Sequence, residues 1–481
     1  MGVEYKWTVL TVTTVGVLMS GIDGRILIIG LPQIASAMHA DAEQAIWFTQ
    51  GYALASTIML LLIGRITDIF GRVKFYNTGF VIFTAASLLT GFAQSPNQII
   101  VFRLIQGLGS SIIWSNSIAM IADATPRKEL GLALGINSIA FNFGSVLGLT
   151  VSGLILAFLD WRYLFYVNVP IGLFGTFWAR VRLKEIAQTE EGAPVDWLGF
   201  GAFVVFITSL LLAMTYAAYG IAQENLVVAL LTLSLVALIL FVRHERRTKH
   251  PLLDLNLLRI KEFGNSVVAL VINVTAFSSL ALLLSLYFQL VVGLSPLDAG
   301  IRLLPLDVST LLVAPLSGRM SDRFGQVPFI TAGLCLVSIG TYLFSTVEAS
   351  TPYVTVVVYM ILLGVATSMF LAPNVSYSMT PVPPQRRGVA ASVRSTFFNV
   401  GLTVSLNLVV LIMTFTVPYS IVTAVISSVG AVVIPTMYRS LFMAGLKSAY
   451  LWLAVLNALA LVPVYLSISK AHDVVSSSIN G

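Results

Sequence analysis

Two acidic residues lie deep inside long apolar runs of this sequence, where a charge is energetically expensive. Asp23 follows a run that begins at Trp7, and Asp307 lies in another apolar run much later in the chain. Ionisable side chains in such surroundings commonly mark ion pathways and proton relays. All four histidines fall in loops or tails instead. Asp23 and Asp307 are therefore the candidate proton carriers.

An arginine at a matching depth is available to pair with Asp23. Asp23 is about 24 Å along a helix that starts at Trp7, in the outer half of a span, and Arg103 enters a later span from the same side. We expect the two to pair when neither substrate nor proton is bound, and protonation or a cationic substrate to break the pair. The alternative is a static contact between two helices. For Asp307 the alternative is a local pair with Arg302.

A polar stripe continues from Arg103 along one helix face. Gln106, Ser110 and Trp114 follow it at spacings of three, four and four residues, which is the helical period. We expect this face to line a cavity, although small residues there would also allow close helix packing. A cavity of aromatic and flexible side chains with one or two carboxylates suits bulky apolar cations. Residues of suitable type in later spans are further candidate contacts: Asn273, Phe277, Tyr287, Met360, Phe370 and Asn374.

The composition places these residues in a membrane protein. Hydrophobic residues make up 57% of the 481 residues and charged residues only 10%, whereas a soluble domain is about 25% charged. These values exclude a water-soluble globular enzyme and a disordered chain. The net charge of +6 is spread in short clusters, which argues against nucleic-acid binding. The sequence has no phosphate-binding loop and no metal-ligand cluster, so we expect neither enzyme activity nor a cofactor.

The apolar runs predict the topology. Fourteen runs are long enough for a spanning helix, which needs roughly 20 residues. An even number puts both termini on one side, and most of the 27 Lys and Arg residues then fall in cytoplasmic segments. The sequence therefore predicts a multi-pass protein of the cell membrane with both termini in the cytoplasm. Residues 417–445 are apolar but interrupted by Pro418, Gly430 and Pro435, which favours an external hairpin or interfacial segment.

The chain contains an internal repeat. Residues 62–73 match 316–327 at an offset of 254 positions, and residues 125–144 match 382–401 at an offset of 257. Two matches at nearly one offset indicate two bundles related by a parallel repeat. Such a duplication is typical of secondary transporters, in which one half moves against the other around a site at mid-membrane.

The repeat predicts the domain organisation of an all-α membrane protein. Residues 1–183 form an N-terminal six-helix bundle, and residues 264–481 form a C-terminal one. Residues 184–263 form a linker with two inserted transmembrane helices. A two-bundle fold of this kind can act as a monomer.

Four segments carry a family resemblance: "IDGRILIIGLPQIA" (22–35), "GRITDIFGRVK" (64–74), "RLIQGLGSS" (103–111) and "WRYLFYVNVPIG" (161–172). The chain resembles the major facilitator superfamily, specifically its fourteen-span drug:proton antiporter branch, over essentially its whole length. The resemblance implies proton-coupled multidrug efflux by alternating access, driven by the proton gradient. The implied partners are small amphipathic molecules or organic cations, protons and membrane lipids.

The signature of that branch in span 5 (residues 131–157) is only partly present. Gly144, Gly148 and Gly153 are retained, while Leu149 and Ser152 replace a proline and a glycine of the usual pattern. The departure leaves open a lipid or metabolite exporter or facilitator that is not coupled to protons. A transporter-like sensor is a further alternative, although it would usually carry a signalling domain.

The resemblance also implies a cytoplasmic gate. Asp68 would face the start of span 13 (residues 389–416) near Gly388, where a helix dipole stabilises a carboxylate by about 0.3–1 kcal/mol. Asp322 would mirror it near Gly131 at the start of span 5. The loop residues assigned to this gate come from both repeats: Gly64, Arg65, Asp68, Gly71, Arg72, Gly318, Arg319, Asp322 and Gly325.

Overall fold

The computed structural model describes residues 3–126, 129–185, 195–218, 224–249, 251–383, 386–418 and 436–467. Within these residues the chain is helical and contains no strand. Among them, 13 helices are long and apolar enough to cross a membrane. A further 20-residue helix, Arg72–Gly91, occupies the remaining apolar run. The predicted all-α membrane fold is confirmed.

The helices have the following bounds in chain order: α1 (Val3–Ala37), α2 (Ala42–Phe70), α3 (Arg72–Gly91), α4 (Pro96–Ala124), α5 (Leu130–Phe158), α6 (Tyr163–Tyr166), α7 (Asn168–Arg182), α8 (Trp197–Ala218), α9 (Glu224–Glu245), α10 (Lys261–Phe277), α11 (Leu280–Leu286), α12 (Pro296–Phe324), α13 (Gln326–Phe344), α14 (Tyr353–Met379), α15 (Arg387–Thr414) and α16 (Thr436–Leu459). A 3₁₀ turn covers Leu255–Arg259, and a π-helical turn follows α11 at Tyr287–Val291.

The start and end of α2 follow from its sequence. Asp41 accepts a hydrogen bond from the backbone nitrogen of Gln44 at 2.8 Å, and the Gln44 side chain accepts one from the backbone nitrogen of Asp41 at 3.2 Å. This capping box satisfies amide groups that have no partner within the helix. At the other end, Gly71 adopts φ +96°, a conformation that favours glycine, and leads directly into α3.

The chain divides into two compact units. The first comprises Met1–Leu238, Leu284–Leu304 and Pro418–Arg439, and the second comprises Ile239–Leu283, Pro305–Val417 and Ser440–Gly481. In the first unit α1 packs on α4, α5 and α7, while α4 also packs on α2 and α3. In the second unit α10 packs on α14 and α15, and α13 packs on α14. The predicted domain boundaries stay a prediction.

The span-5 glycines bring α5 close to α1. A Cβ atom added at Gly144 would overlap the carbonyl oxygen of Leu18, and one at Gly148 would overlap that of Ile22. The Ser152 hydroxyl, where the family pattern has glycine, donates to the carbonyl oxygen of Ile26 at 2.7 Å. The α1–α5 contact is therefore close along at least two turns, and it sets the position of α1 in the first unit.

Gly153 also has a backbone neighbour. A Cβ atom there would lie 2.8 Å from the Cα atom of Leu297, which belongs to the same unit.

Candidate functional site

The site forms around a buried carboxylate in the first unit. Asp23 on α1 is 0% exposed and Arg103 on α4 is 1% exposed. Arg103 Nη1 donates to Asp23 Oδ2 at 2.8 Å. The structure thus brings together the two residues whose matching depth suggested a pair. Each charge compensates the other in surroundings where either alone would be costly.

Two amides complete the environment of the carboxylate. Gln106 Nε2 on α4 donates to Asp23 Oδ1 at 2.8 Å. Asn168 Nδ2, at the start of α7, donates to the same oxygen at 2.9 Å. Asp23 therefore accepts three hydrogen bonds from side chains on two other helices. The bond from Arg103 is charge-assisted.

Arg103 is held from several directions as well. Its Nε donates to the carbonyl oxygen of Phe48 on α2 at 3.1 Å, and its Nη1 donates to Gln106 Oε1 at 2.7 Å. The guanidinium carbon lies 4.4 Å from the centroid of the Tyr52 ring, a cation–π contact. The Tyr52 hydroxyl donates to Ser110 Oγ at 2.6 Å. Four helices, α1, α2, α4 and α7, therefore meet at this cluster.

Sequence analysis did not identify Tyr52 or Asn168 as members of the site. Asn168 lies within the quoted segment 161–172, so a signal for it was present, but its distance of 145 residues from Asp23 gave no indication of contact. Asn168 also donates to Ser87 Oγ on α3 at 3.3 Å. Tyr52 had no comparable signal, because an aromatic residue in a span is usually a packing residue.

Because Asp23 and Arg103 share a hydrogen bond, protonation of Asp23 would also change the surroundings of Arg103. A proton on the carboxyl group would turn an acceptor of three hydrogen bonds into a partial donor and leave the guanidinium without its counter-charge. Burial of an uncompensated charge costs several kcal/mol. Proton uptake would therefore favour a rearrangement in which Arg103 finds another partner or water.

The remainder of the α4 stripe lies on the same side of the helix. Gln106 and Ser110 are buried, and Trp114 is half-buried. The Trp114 ring lies 4.9 Å from that of Phe141 on α5 in an edge-to-face arrangement. The stripe thus runs from the ion pair toward the contact between α4 and α5.

The second unit contains an uncharged cluster at corresponding spans. Asn273 on α10 donates to Asn457 Oδ1 on α16 at 2.7 Å. Asn457 Nδ2 donates to Ser338 Oγ and to the carbonyl oxygen of Leu334 on α13, at 2.8 and 3.0 Å. In the first unit Asp23, Asn168 and Ser87 lie on α1, α7 and α3; here the residues lie on α10, α16 and α13. The cluster of the first unit contains an aspartate, and that of the second unit contains two asparagines.

The other predicted cavity contacts of the second unit differ in environment. Met360 and Phe370 on α14 are fully buried, and Phe370 belongs to an apolar cluster with Leu270 and Leu334. Asn374 is also buried and donates to the carbonyl oxygen of Ser266 at 3.3 Å.

Three further residues named from the sequence lie on α10, on the π-helical turn and on α12. Phe277, the last residue of α10, is half-buried. Tyr287 begins the π-helical turn and is 3% exposed. Asp307 is partly buried on α12 between Pro305 and Pro315.

The loop between α2 and α3 is held by two carboxylates. Arg72 Nη1 pairs with Asp123 Oδ2 at 2.5 Å, at the end of α4. The backbone nitrogen of Val73 donates to Glu185 Oε2 at 2.9 Å, so Glu185 caps the start of α3. The positive φ of Gly71 leaves room for this carboxylate, since a Cβ atom there would lie 2.8 Å from it. Sequence analysis did not identify Glu185.

The residues predicted for the gate in the second repeat lie near the end of α12, and two of them are at the surface. Gly325 adopts φ +94°, like Gly71, and Arg319 and Asp322 are exposed. A Cβ atom at Gly318 would meet open space. Arg65 is partly buried. The side-chain environments of four residues in this assignment lie outside the described residues: Gly64, Asp68, Gly131 and Gly388.

Known proteins resemble this chain over most of its length. The riboflavin transporter RibZ of Clostridioides difficile (strain 630) is 29% identical over 399 residues, which cover 82% of this chain and 86% of that protein. The multidrug resistance protein Stp of Mycobacterium tuberculosis (strain CDC 1551 / Oshkosh) is 29% identical over 397 residues, 82% of this chain and 73% of that protein.

A solved structure agrees in fold. A bacterial homologue of the human lysosomal transporter Spinster, in an inward-facing and occupied conformation, superposes with a TM-score of 0.69 at 15% identity, covering 97% of both chains. The family model described as Major Facilitator Superfamily matches residues 13–306 and 268–473. Because this match extends over both repeats and the helices follow the same fold, the chain belongs to the major facilitator superfamily.

Proposed function

We propose that this transporter exports amphipathic compounds, cationic drugs among them, in exchange for protons, as a member of the fourteen-span drug:proton antiporter branch. The observation that carries the proposal is the Asp23–Arg103 pair, a buried carboxylate and guanidinium 2.8 Å apart with no exposed surface on the acid. A relative named as a multidrug resistance protein supports the same direction. The protein would act in the cell membrane with both termini in the cytoplasm.

Proton and substrate would compete for one carboxylate. Deprotonated Asp23 binds Arg103, Gln106 and Asn168. A proton from outside would neutralise Asp23, release Arg103 and favour the opposite-facing state. An incoming cation would compensate the carboxylate in the other half of the cycle and displace the proton. The charge of Asp23 is then compensated in each state by Arg103, by a proton or by the cation, while released Arg103 takes another partner or water.

The test is flux in proteoliposomes under an imposed pH gradient. The purified protein is reconstituted, and uptake of a fluorescent lipophilic cation is followed with and without the gradient. We expect the gradient to drive flux in the wild type and Asp23→Asn to lose the driven component. Asp160→Asn is the matched control, because it makes the same change in a surface pair with Arg162.

The outcomes discriminate clearly between mechanisms. Equal flux with and without the gradient, in folded wild-type protein, would overturn proton coupling. Equal driven flux in Asp23→Asn and Asp160→Asn would remove Asp23 from the mechanism and leave Asp307 as the carrier to test by Asp307→Asn.

A second candidate is a facilitator of a metabolite that is not coupled to protons. The relative named as a riboflavin transporter favours it, as does the replacement of the span-5 proline and glycine by Leu149 and Ser152. Riboflavin is the first probe for this candidate. Riboflavin exchange that is independent of the pH gradient and unchanged in Asp23→Asn would establish it.

A further inference from the structure

A second intramembrane arginine, Arg394, is compensated far less well than Arg103. It lies on α15, seven residues beyond the first residue of that helix, which places it about 10 Å along the axis. It is only partly exposed. Its hydrogen bond is a long one, from Nη2 to Asn374 Oδ1 at 3.4 Å, and its buried Nε has no hydrogen-bond partner among the described residues.

Compared with Arg103, Arg394 lacks a negatively charged partner among the described residues. Arg103 is bound by a carboxylate, an amide, a carbonyl oxygen and an aromatic ring. Arg394 has one neutral amide oxygen, and in the described part of the chain no carboxylate oxygen lies within 4.0 Å of it. A guanidinium stays charged under all ordinary conditions. An uncompensated charge inside a span is costly, and intramembrane ionisable residues commonly pair with an opposite charge and mark substrate pathways.

The surroundings of Arg394 are organised by its neighbours. Asn374 on α14 is buried and donates its amide nitrogen to the carbonyl oxygen of Ser266 on α10 at 3.3 Å. Asn374 thus presents Oδ1 to Nη2 of Arg394, while the buried Nε has no hydrogen-bond partner among the described residues. The guanidinium is thus positioned by α10 and α14.

The internal repeat places another unsatisfied donor at the same register. At an offset of 257, Arg394 aligns with Asn137 on α5. Asn137 is 5% exposed, and its amide nitrogen is also buried without a hydrogen-bond partner among the described residues. The same register therefore carries a buried donor without a partner in each repeat, on α5 and on α15.

We propose that Arg394 binds the acidic group, a carboxylate or a phosphate, of the amphipathic compound that this protein transports. The inference rests on the proposed function and deepens it by naming a substrate class: amphiphiles that carry an acid. The planar guanidinium matches the two oxygens of a carboxylate or phosphate, and such charge-assisted hydrogen bonds are strong in water-poor surroundings. The acid would compensate the charge of Arg394 in the loaded state.

The test is equilibrium binding without any pH gradient. The full-length protein in nanodiscs of zwitterionic lipid is titrated with dansyl-phenylalanine and with dansyl-phenylalaninamide, which differ only in the carboxylate. We expect the wild type to bind the acid more tightly than the amide. Arg394→Gln should weaken binding of the acid about 10- to 100-fold and leave the amide unchanged. Arg162→Gln, a change at the surface, should leave both unchanged.

Two further variants separate loss of binding from loss of folding. Arg394→Lys keeps the charge and should retain part of the preference for the acid. Asn374→Asp supplies a carboxylate beside Arg394, so it should abolish binding of the acid while thermal stability is kept or raised. Displacement of the dansyl acid by dodecyl phosphate would extend the site to phosphates, and displacement by carboxylates alone would restrict it to those; both results support the proposal.

An equal affinity of the wild type for acid and amide would overturn the inference, as would an unchanged preference in a folded Arg394→Gln protein. Neither of these binding results would bear on whether a pH gradient drives flux. Conversely, loss of gradient dependence would remove the proposed exchange and leave the binding result intact, so the two failures are distinguishable.

Discussion

At the scale of residues, the chemistry of the first unit depends on mutual compensation. Asp23 and Arg103 are both buried, and each is costly without the other. Gln106 and Asn168 add hydrogen bonds to the same carboxylate oxygen. This set of bonds differs from a surface ion pair such as Arg162–Asp160, which is solvated and contributes little to stability.

The compensation can be measured in a double-mutant cycle. Arg103→Ala leaves the Asp23 carboxylate buried without its counter-charge, so we expect it to destabilise the protein by about 3–5 kcal/mol. Adding Asp23→Asn should recover a large part of this loss but not the driven flux. Thermal unfolding in detergent measures the stability and proteoliposome flux the activity. The surface change Arg162→Ala should alter neither, and additive losses in the double variant would contradict the coupling.

At the scale of elements, glycines decide how closely α5 approaches α1. Gly144 and Gly148 each face a backbone carbonyl oxygen of α1. Gly135, on the same helix, faces open space. The glycines of α5 therefore differ in their surroundings. Of these three, Gly144 and Gly148 pack against α1 and so help to position Asp23 relative to α4 and α7.

Gly148→Ala should consequently disturb the site from a distance. The added methyl group overlaps the carbonyl oxygen of Ile22, one residue before Asp23, and overpacking of this kind costs about 1–3 kcal/mol. Gly135→Ala is the matched control and should be neutral or slightly stabilising, since alanine favours helix by up to about 1 kcal/mol. Melting temperature and driven flux should both fall for Gly148→Ala alone. Equal behaviour of the two variants would contradict the close contact.

At the scale of the whole molecule, this protein is a transporter and not an enzyme. Each of its two units contains a polar cluster that joins several helices, but only the cluster of the first unit includes charged side chains. The first unit has Asp23 with Asn168 and the second has Asn273 with Asn457. An amide pair holds helices together through hydrogen bonds but carries no titratable group. Of the two clusters, the one in the first unit therefore holds the titratable group, Asp23.

One asparagine from each cluster tests the difference between the two units. Asn168→Ala should reduce the gradient-driven part of flux several-fold, because Asp23 loses one of its three donors. Asn457→Ala should lower thermal stability by about 1–3 kcal/mol, through partners left unsatisfied, and keep the ratio of driven to undriven flux. Both quantities are read in the same proteoliposome and unfolding assays. A similar loss of coupling in both variants would show that the second cluster also takes part.

Much of the fold could be predicted from the sequence, because it depends on features of single segments of the chain. The length of an apolar run determines a span, and the repeat at offsets of 254 and 257 determines the two-bundle organisation. The depths of Asp23 and Arg103 follow from residue counts along two helices. The spacing of Gln106 and Ser110 after Arg103 likewise places all three on one face, since the helical period is a property of a single element.

The tertiary structure decided which faces meet. Asn168 joins Asp23 across 145 residues, and Phe370, which aromatic type alone suggested as a cavity contact, is buried in an apolar cluster. Such contacts depend on the rotation and register of each helix against its neighbours. Those are set by close approaches such as Gly148 on Ile22 and by interhelical hydrogen bonds, which a one-dimensional pattern of hydropathy does not contain.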